Sequence, residues 1–166
     1  YSTIVLGKAN TSTHWGGPYW FELYGNNNPS GKTLSFWIAN ASDQGSTVNY
    51  ANAANLAYQH IVGTYDGQTM RLFVNGTQVS SKAISATLKT NAHPFYIGKG
   101  YGGTGYGGNY SDVVVDELTI YARTLTAQQI SVIYNSGTQK YNITVAEELK
   151  RGGIWKVNVT PIDKYR

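Results

Sequence analysis

Hydrophobic and polar residues alternate over much of the chain, which predicts a protein built mainly of β-strands. In QTMRLFVNG, Met70, Leu72 and Val74 share one parity, and Arg71 and Phe73 share the other. Side chains of a strand point to its two faces in turn, so one of these sets is directed inward. The same pattern predicts strands at 3–7, 19–24, 33–39, 60–65, 70–74, 95–98 and 113–121.

Turn signals lie on both sides of the strand at 70–74. Asp66-Gly67 precedes it and Asn75-Gly76 follows it, so the local plan is a meander of three strands joined by two tight turns. Asn-Gly is a strong signal for a type I′ turn, which would place Asn75 at an exposed tip. Because Thr77 follows, the same residues also form an acceptor site for an N-linked glycan.

One helix is predicted near residues 126–134. In RTLTAQQISVIYNSG, Thr126 and Gln129 have the spacing of a capping box, and the stretch 135–137 supplies a stop signal. The predicted helix is short, about two turns long.

The character of the sequence changes after the helix, so we predict a main domain over 1–138 and a separate C-terminal unit over 139–166. The unit is a β-hairpin or the start of a further β domain, with a polar turn at 147–153 and with Trp155, Val157 and Val159 on one face of its second strand. A lone hairpin is only marginally stable in water. The tail must therefore pack on the main domain or on another chain, or belong to a further domain.

Composition narrows the class of protein. Charged residues make up only 13% of the 166, while Gly (19) and Tyr (14) are abundant, which favours an all-β domain. The absence of Cys excludes disulfides and thiolate metal sites. Residues 1–139 carry 7 basic and 6 acidic groups, against 6 and 3 in 140–166, with no basic stripe of the kind that binds nucleic acid. No apolar run approaches the roughly 18 to 20 residues of a membrane span, so membrane insertion is not expected.

Three ordered segments resemble the second half of a laminin-G-like domain: HIVGTYDGQTMRLFVNGTQV, HPFYIGKG and DVVVDELTIYARTLTAQQI. The resemblance covers about residues 1–137 and is strongest over 58–134. It implies a concanavalin A-like fold: all-β, a two-sheet antiparallel jelly-roll sandwich with one short helix. Most members of that family are extracellular binding or adhesion modules for glycans or proteins, often with a bound calcium ion, and related sandwiches include glycoside hydrolases.

The resemblance also implies that strands are absent from this sequence. Family members usually have about three strands before the segment that corresponds to STIVLGK, where this sequence starts. Their absence would leave sheet edges open, and open edges recruit other strands. The missing strands could be supplied upstream, by the IWKVNV tail or by a neighbouring subunit. The tail itself is similar to the opening of Ig-like repeats in large prokaryotic surface proteins, which suggests a multidomain parent.

Catalytic patterns are absent from the sequence. Glycoside hydrolysis needs two carboxyl groups facing one another across the bond, and the relatives take them from alternate positions of one strand. None of the four Glu (22, 117, 147 and 148) lies in a Glu-x-Asp pattern, and the neighbours Asp116 and Glu117 would point to opposite faces of a strand. We therefore predict no enzymatic activity. A degenerate glycosidase is retained as a further alternative.

Two groups of aromatic residues are candidates for ligand binding. Tyr101, Tyr106 and Tyr110 are spaced through the glycine-rich stretch GKGYGGTGYGGNY, and Trp15 and Tyr19 flank a Gly-Gly-Pro sequence. Aromatic faces at loop tips stack on sugar rings or dock a partner protein. The plainer interpretations are a mobile surface loop for the first group and a Trp folded over the sandwich edge for the second. Trp37 is assigned to the core by its alternation.

Asp116 is the candidate metal ligand. The resemblance matches it to a family strand whose Asp often ligates a structural Ca²⁺, although calcium requires several further oxygen ligands. A turn cap or an ion pair with Arg123 would explain the same residue without a metal.

Six acceptor sequences for N-linked glycans occur in the chain, at Asn10, Asn40, Asn75, Asn109, Asn142 and Asn158. Such sites are modified only on proteins that cross a glycosylating membrane. Together with the resemblance, they predict an extracellular or cell-surface protein.

The leading hypothesis is a non-enzymatic carbohydrate-binding or adhesion module of a larger surface protein, whose partners are glycans or cell-surface proteins and which is assisted by one structural Ca²⁺. The alternative is a structural subunit of a filament, sheath or surface layer, which forms homo-oligomers by sharing strands between chains.

Overall fold

The computed structural model describes residues 2–8, 17–24, 32–51, 53, 58–98 and 114–139. Eight strands and one helix follow in chain order: β1 (Ser2–Lys8), β2 (Tyr19–Tyr24), β3 (Thr33–Ala39), β4 (Gly45–Tyr50), β5 (Ile61–Tyr65), β6 (Thr69–Val74), β7 (Thr77–Ala83), β8 (Tyr96–Ile97) and α1 (Ala127–Gln139). The proposed C-terminal unit, from residue 140 onward, lies outside the described residues.

The strands form two antiparallel sheets that pack face to face as a sandwich. One sheet has five strands in the order β4-β3-β2-β1-β8, and the other has three in the order β5-β6-β7. A closed barrel is not formed by these strands, so each sheet keeps two edges. The prediction of an all-β, two-sheet antiparallel sandwich with one helix is confirmed.

The main core lies between the two sheets. The five-stranded sheet contributes Leu34, Phe36 and Ile38 from β3 together with Val48 from β4, and the three-stranded sheet contributes Met70, Leu72 and Val74 from β6. Each of these residues is at most 6% exposed. The parity predicted for β6 is therefore confirmed, because one set faces the opposite sheet. The other set is not simply solvated, since Phe73 is buried with Leu125 and Ile130 beneath α1.

The meander β5-β6-β7 is joined by the two turns that the sequence predicts. At the first turn, Asp66 Oδ1 accepts the amides of Gln68 and Thr69 at 2.9 and 2.7 Å, and its Oδ2 accepts from Arg71 at 2.6 Å. These bonds to the ionised form lower the pKa of Asp66 to about 2, with the Arg71 bond as the largest cause. At the second turn, Asn75 and Gly76 both have positive φ (51° and 76°), as a type I′ turn requires.

The Asn75-Gly76 turn is not an exposed tip, which corrects the expectation from sequence. Asn75 is half-buried. Its Oδ1 accepts the amide of His60 at 3.0 Å, and its own amide donates to the His60 carbonyl at 2.8 Å. On the other side, a Cβ placed on Gly76 would lie 2.9 Å from Cδ1 of Tyr134 in α1. The turn is therefore held between the start of β5 and the helix.

Helix α1 begins with the predicted capping box but is longer than predicted. The amide of Thr126 donates to Gln129 Oε1 at 3.0 Å, and the amide of Gln129 donates to Thr126 Oγ1 at 3.2 Å. The stop signal at 135–137 does not act, and the helix continues to Gln139. Within it, Ser136 Oγ donates to the Val132 carbonyl at 2.8 Å, so its hydroxyl is satisfied inside the helix rather than by a turn. No described helix is long and apolar enough to cross a membrane.

Two strand assignments differ from the structure. The sequence pattern did not reveal β4, because GSTVNY carries only one aliphatic residue, Val48. Conversely, the predicted strand at 113–121 is wrong for residues 114–121, which join no sheet of the described chain. This stretch, called the open segment below, exposes large apolar side chains by 43 to 73%: Val114, Leu118, Ile120 and Tyr121.

Candidate functional site

A row of aromatic and small residues crosses the outer face of the five-stranded sheet, the face turned away from the main core. Residues that are direct cross-strand partners lie on the same face of a sheet. The register from β8 through β1, β2 and β3 to β4 therefore places five residues in one line, the aromatic row: Tyr96, Gly7, Trp20, Trp37 and Thr47.

Two tryptophans form the centre of the aromatic row. The rings of Trp20 and Trp37 stack with their centroids 5.5 Å apart and their planes 4° from parallel. Gly7 makes this arrangement possible, because a Cβ at that position would lie only 2.4 Å from Trp20 Cβ. A side chain at position 7 would therefore displace Trp20 and disturb the stack.

A second row, the polar row, runs parallel to the first. The register places Glu22, Ser35 and Asn49 side by side on β2, β3 and β4. Glu22 and Ser35 are 4% and 6% exposed, whereas Asn49 is exposed. Thr47 Oγ1 donates to Asn49 Oδ1 at 2.9 Å and so links the two rows at β4.

The face therefore changes character from its middle to its β4 edge. Trp20 is 2% exposed, Trp37 and Thr47 are half-buried, and Asn49 is exposed. Towards β4, the described face therefore offers a partly exposed indole, a partly exposed threonine and an exposed amide side chain. Ring surface beside polar groups that donate and accept hydrogen bonds is the combination found in sites for small polar ligands.

A family comparison agrees with this architecture. The family model of the concanavalin A-like lectin/glucanases superfamily matches residues 2–131. The chain belongs to this superfamily. Two sheets packed face to face, with a meander and a following helix, are thus the concanavalin A-like part of the chain.

Comparison with individual proteins gives one distant structural likeness. No curated protein matches the chain. Among solved structures, the concanavalin A-like domain is similar to residues 221–444 of an S-layer domain-containing protein from Clostridium thermocellum, with 20% identity and a TM-score of 0.44. The match covers 74% of this chain and 59% of that one. At this level the likeness carries no information about function.

The aromatic residues proposed from sequence are mostly outside the described part of the concanavalin A-like domain. Trp15, Tyr101, Tyr106 and Tyr110 all lie there. Tyr19 does not lie at a loop tip: it is the first residue of β2, it pairs with Ile38, and it packs against the main core. Strand alternation explains the correction, since Trp20 faces outward and its neighbour Tyr19 must face inward.

Asp116 lies in the open segment and is exposed. Its Oδ1 accepts the amide of Glu117 at 2.9 Å, and Glu117 has a positive φ of 50°. The two side chains therefore sit at a local bend and not on the strand that the sequence pattern suggested. Within the described ranges, no three His, Asp or Glu side chains are grouped in a way that could hold a metal ion. Calcium at Asp116 stays a prediction, which would need backbone carbonyls or residues elsewhere in the chain.

Two of the six glycan acceptor sites are described. Asn40 Oδ1 accepts the amides of Ser42 and Gln44 at 3.0 and 2.9 Å, and its Nδ2 donates to Gln44 Oε1 at 3.1 Å. The bonds that fix the Asn75 turn use its Oδ1 and its main-chain amide, and they do not involve its Nδ2, the atom that would carry a glycan. The acceptor sites at Asn10, Asn109, Asn142 and Asn158 lie outside the described residues.

A shallow groove of about 320 Å³ lies between β6, β7 and the start of α1. Two of its polar side chains are already engaged. Arg71 is paired with Asp66 at 2.6 Å, and Thr126 is used by the capping box. The outer face of the five-stranded sheet is therefore the better candidate site.

Sequence reasoning missed Glu22, Ser35, Thr47 and Asn49. A signal for Glu22 was present, since YWFELY predicts a strand in which Trp20 and Glu22 share a parity. Trp37 occupies the corresponding parity of LSFWIAN, so its predicted assignment to the core between the sheets is wrong: it lies on the outer face, stacked on Trp20. Only the register between β2 and β3 shows that these residues are neighbours, and a single sequence does not contain the register.

Proposed function

We propose that this domain is a non-enzymatic carbohydrate-binding or adhesion module of a larger extracellular or surface protein, and that its ligand lies across the β4 side of the outer face. The observation that carries the proposal is the juxtaposition of a half-buried Trp37 with Thr47 and Asn49 on one face of the sheet. Membership of the concanavalin A-like lectin/glucanases superfamily supports both the binding role and the extracellular setting.

The chemistry of this edge suits a sugar. Indole rings offer apolar surface to the C–H face of a pyranose, while hydroxyl and amide groups exchange hydrogen bonds with its hydroxyls. Thr47 and Asn49 are already hydrogen-bonded to each other at 2.9 Å, so they are oriented before a ligand arrives. Groups that are ordered in advance lose less conformational freedom on binding.

The same face argues against hydrolysis. A glycosidase needs two carboxyl groups about 5 to 10 Å apart, one on each side of the bond. On the described part of the face, Glu22 is the one carboxylate, and it is 4% exposed. We therefore keep the non-enzymatic assignment as part of the proposal.

The test is a glycan array in the presence of calcium, followed by titration of the best ligand with Asn49→Ala. We expect millimolar to micromolar affinity and a Kd about tenfold higher in the variant, because an amide that hydrogen-bonds the ligand is lost. Asn135→Ala is the matched control, since Asn135 is exposed on α1 and away from this face.

Three outcomes would contradict parts of the proposal. If no glycan binds, the carbohydrate-binding function is lost. If a glycan binds and Asn49→Ala has no effect while Tyr106→Ala abolishes binding, the ligand lies on the glycine-rich loop and not on the sheet. If Asn135→Ala raises the Kd as much as Asn49→Ala does, the effect of Asn49→Ala does not place the ligand on the sheet.

Calcium assistance belongs to the same proposal. An exposed carboxylate at a bend, Asp116, is the group that would contribute to the ion, with carbonyl oxygens completing its shell. Calcium should then raise the melting temperature of the protein, and Asp116→Asn should remove that rise, whereas Asp43→Asn should retain it. An equal melting temperature with calcium and with chelator would contradict the proposal that calcium binds.

A second candidate is favoured by one observation, the exposed apolar side chains of the open segment. A surface of this kind is typical of chains that share strands in a filament, sheath or surface layer. Sedimentation measurements over a range of concentrations test it. Concentration-dependent oligomers that disappear in Ile120→Lys would support assembly through this segment, and a monomer at all concentrations would exclude it.

A further inference from the structure

The open segment has the composition of a buried strand but the exposure of a loop. Val114 and Ile120 are 73% and 60% exposed, and Leu118 is 43% exposed. Large aliphatic side chains grouped along one short stretch are uncommon on the surface of a protein that is isolated in water, and mark a surface that another element covers.

The backbone of the open segment takes little part in the hydrogen bonding of the described residues. None of the backbone-to-backbone hydrogen bonds between described residues involves residues 114–121. The side-chain bonds that the stretch makes with described residues are local, from the Glu117 amide to Asp116 Oδ1 and from Thr119 Oγ1 to the Glu117 carbonyl. Backbone amides and carbonyls that no described element engages can pair with an added strand.

One contact ties the chain just past the open segment to β5, an edge strand of the three-stranded sheet. Just past its C-terminal end, Thr124 Oγ1 donates to the Tyr65 carbonyl at the end of β5, at 3.0 Å. Earlier in the segment, the carboxylate of Glu117 acts on His60, just before β5: burial lowers the pKa of that imidazole, and the charge of Glu117 partly opposes the effect. The contact at Thr124 therefore places the C-terminal end of the open segment near the end of β5.

The chain itself contains a stretch suited to this surface, residues 154–159 (IWKVNV). Trp155, Val157 and Val159 share one parity and form an apolar face. Charge also matches: the open segment carries Asp116 and Glu117 with no basic residue, while residues 140–166 carry 6 basic and 3 acidic groups. Opposite charges of this kind favour the encounter and suppress wrong partners.

Residues 154–159 can reach the open segment from the end of α1. Helix α1 ends at Gln139, and the ring of Tyr134, little more than one helical turn earlier, lies 5.8 Å from His60, which the charge of Glu117 affects. The 14 residues from 140 to 153 span up to about 46 Å when extended. That reach is greater than the length of the open segment.

We propose that residues 154–159 add as a β-strand alongside the open segment of the same chain, with Trp155, Val157 and Val159 over its aliphatic side chains. The added strand covers the apolar side chains that the described elements leave exposed. The inference does not depend on glycan binding. It concerns the surface used in the second candidate function, and it names this chain's own tail as the occupant in place of a neighbouring molecule.

Disulfide trapping in the full-length chain tests the proposal, because the protein has no Cys and every disulfide is then a designed one. Leu118→Cys is combined in turn with Cys at 155, 157 or 159, and in matched controls with Cys at 154, 156 or 158. Cysteines bridge only when their Cα atoms are about 4.4 to 6.8 Å apart with suitable orientation.

We expect an intramolecular disulfide in at least one pair of the first set and in none of the control set. Bridges only between two molecules would overturn the proposal and support strand sharing. No bridge in any pair, or equal yields from the two sets, would also overturn it.

Hydrogen exchange gives a second readout that needs no cysteine. In the unmodified chain, amides of 114–121 and 154–159 should exchange at least about tenfold more slowly than in Val157→Asp, because the variant places a charge in the apolar face. Asn158→Asp makes the same change of charge on the opposite parity and should keep the protection. Fast exchange of both stretches in the unmodified chain would overturn the proposal even if Val157→Asp failed to fold.

Discussion

Strand β6 and the open segment both have aliphatic side chains at alternate positions, yet they lie in opposite environments. Met70 and Leu72 in β6 are 0% exposed, while Leu118 and Ile120 in the open segment are 43% and 60% exposed. β6 lies between β5 and β7, with the five-stranded sheet on one face and α1 on the other. The open segment has no such neighbours among the described elements.

The difference shows that burial depends on the surrounding elements and not on the strand alone. β6 is hydrogen-bonded to a strand on each side and covered on both faces, and for this reason its alternating apolar side chains are buried. Without them, the same kind of sequence remains a surface that can still be covered. The four predictions below test this contrast, and each pairs a change with a control.

The largest effect should come from truncating equivalent leucines in the two regions. Leu72→Ala leaves a cavity between the sheets and should lower the free energy of unfolding by about 2 to 5 kcal/mol. Leu118→Ala removes the same atoms from an exposed side chain. In a chain whose tail is displaced by Val157→Asp, it should change the free energy of unfolding by less than about 0.5 kcal/mol. Chemical denaturation measures both. Equal losses would mean that the open segment is buried without the tail, and the contrast would fail.

A glycine pair tests how firmly the meander is held against the helix. Gly76 has a positive φ, and a Cβ there would meet the Tyr134 ring, so Gly76→Ala should cost about 2 kcal/mol. Gly67 also has a positive φ but no atom lies within 4 Å of its Cβ position, so Gly67→Ala should cost about 1 kcal/mol. Thermal unfolding measures the difference. Identical losses would show that the helix does not press on the turn in solution.

Residues 122–126 connect the open segment to α1, and the capping box at the start of α1 should stabilise the helix by a smaller amount. Thr126→Ala removes the oxygen that accepts the Gln129 amide and should cost about 1 kcal/mol. Gln128→Ala, an exposed change in the same helical turn, should be nearly neutral. If both variants unfold at the same denaturant concentration as the unmodified chain, the helix does not depend on its cap.

His60 lies between the two regions and should give the smallest effect, a dependence of stability on pH. Burial holds the pKa of the folded imidazole below its ordinary value of 6.5, and its Nδ1 is buried without a hydrogen-bond partner. As the pH falls below about 6.5, the unfolded chain takes up the proton first, so stability is full above that pH and declines towards pH 5. His60→Gln should flatten the decline. His93→Gln, at an exposed site, should leave it unchanged, and a decline that persists in His60→Gln would assign it to another group.

Much of the fold could be predicted from the sequence because its signals are local. Turn residues at 66–67 and 75–76, the parity of Met70 and Leu72, and the capping box of Thr126 each specify structure within a few residues. The end of α1 could not be predicted, because a Gly within a helix costs only about 1 kcal/mol and does not by itself end the helix.

The candidate site was less predictable, because it depends on register. Trp20 and Trp37 are far apart in the chain, and only the pairing of β2 with β3 places them in one row. The prediction of a strand over the open segment was wrong for a related reason. Its alternation is the pattern of a strand, but whether a strand forms depends on a partner that the pattern does not contain.

The position of the Asn75-Gly76 turn has a consequence for the time at which this site can be modified. Gly76 is synthesised well before Tyr134, so on the order of seconds pass in which the turn exists without its helical cover. An enzyme that works on the emerging chain meets Asn75 before the helix is made, whereas one that works on the finished protein meets it half-buried, with the neighbouring Gly76 against α1. The yield of sugar at Asn75 should therefore depend on when the enzyme acts as well as on the compartment.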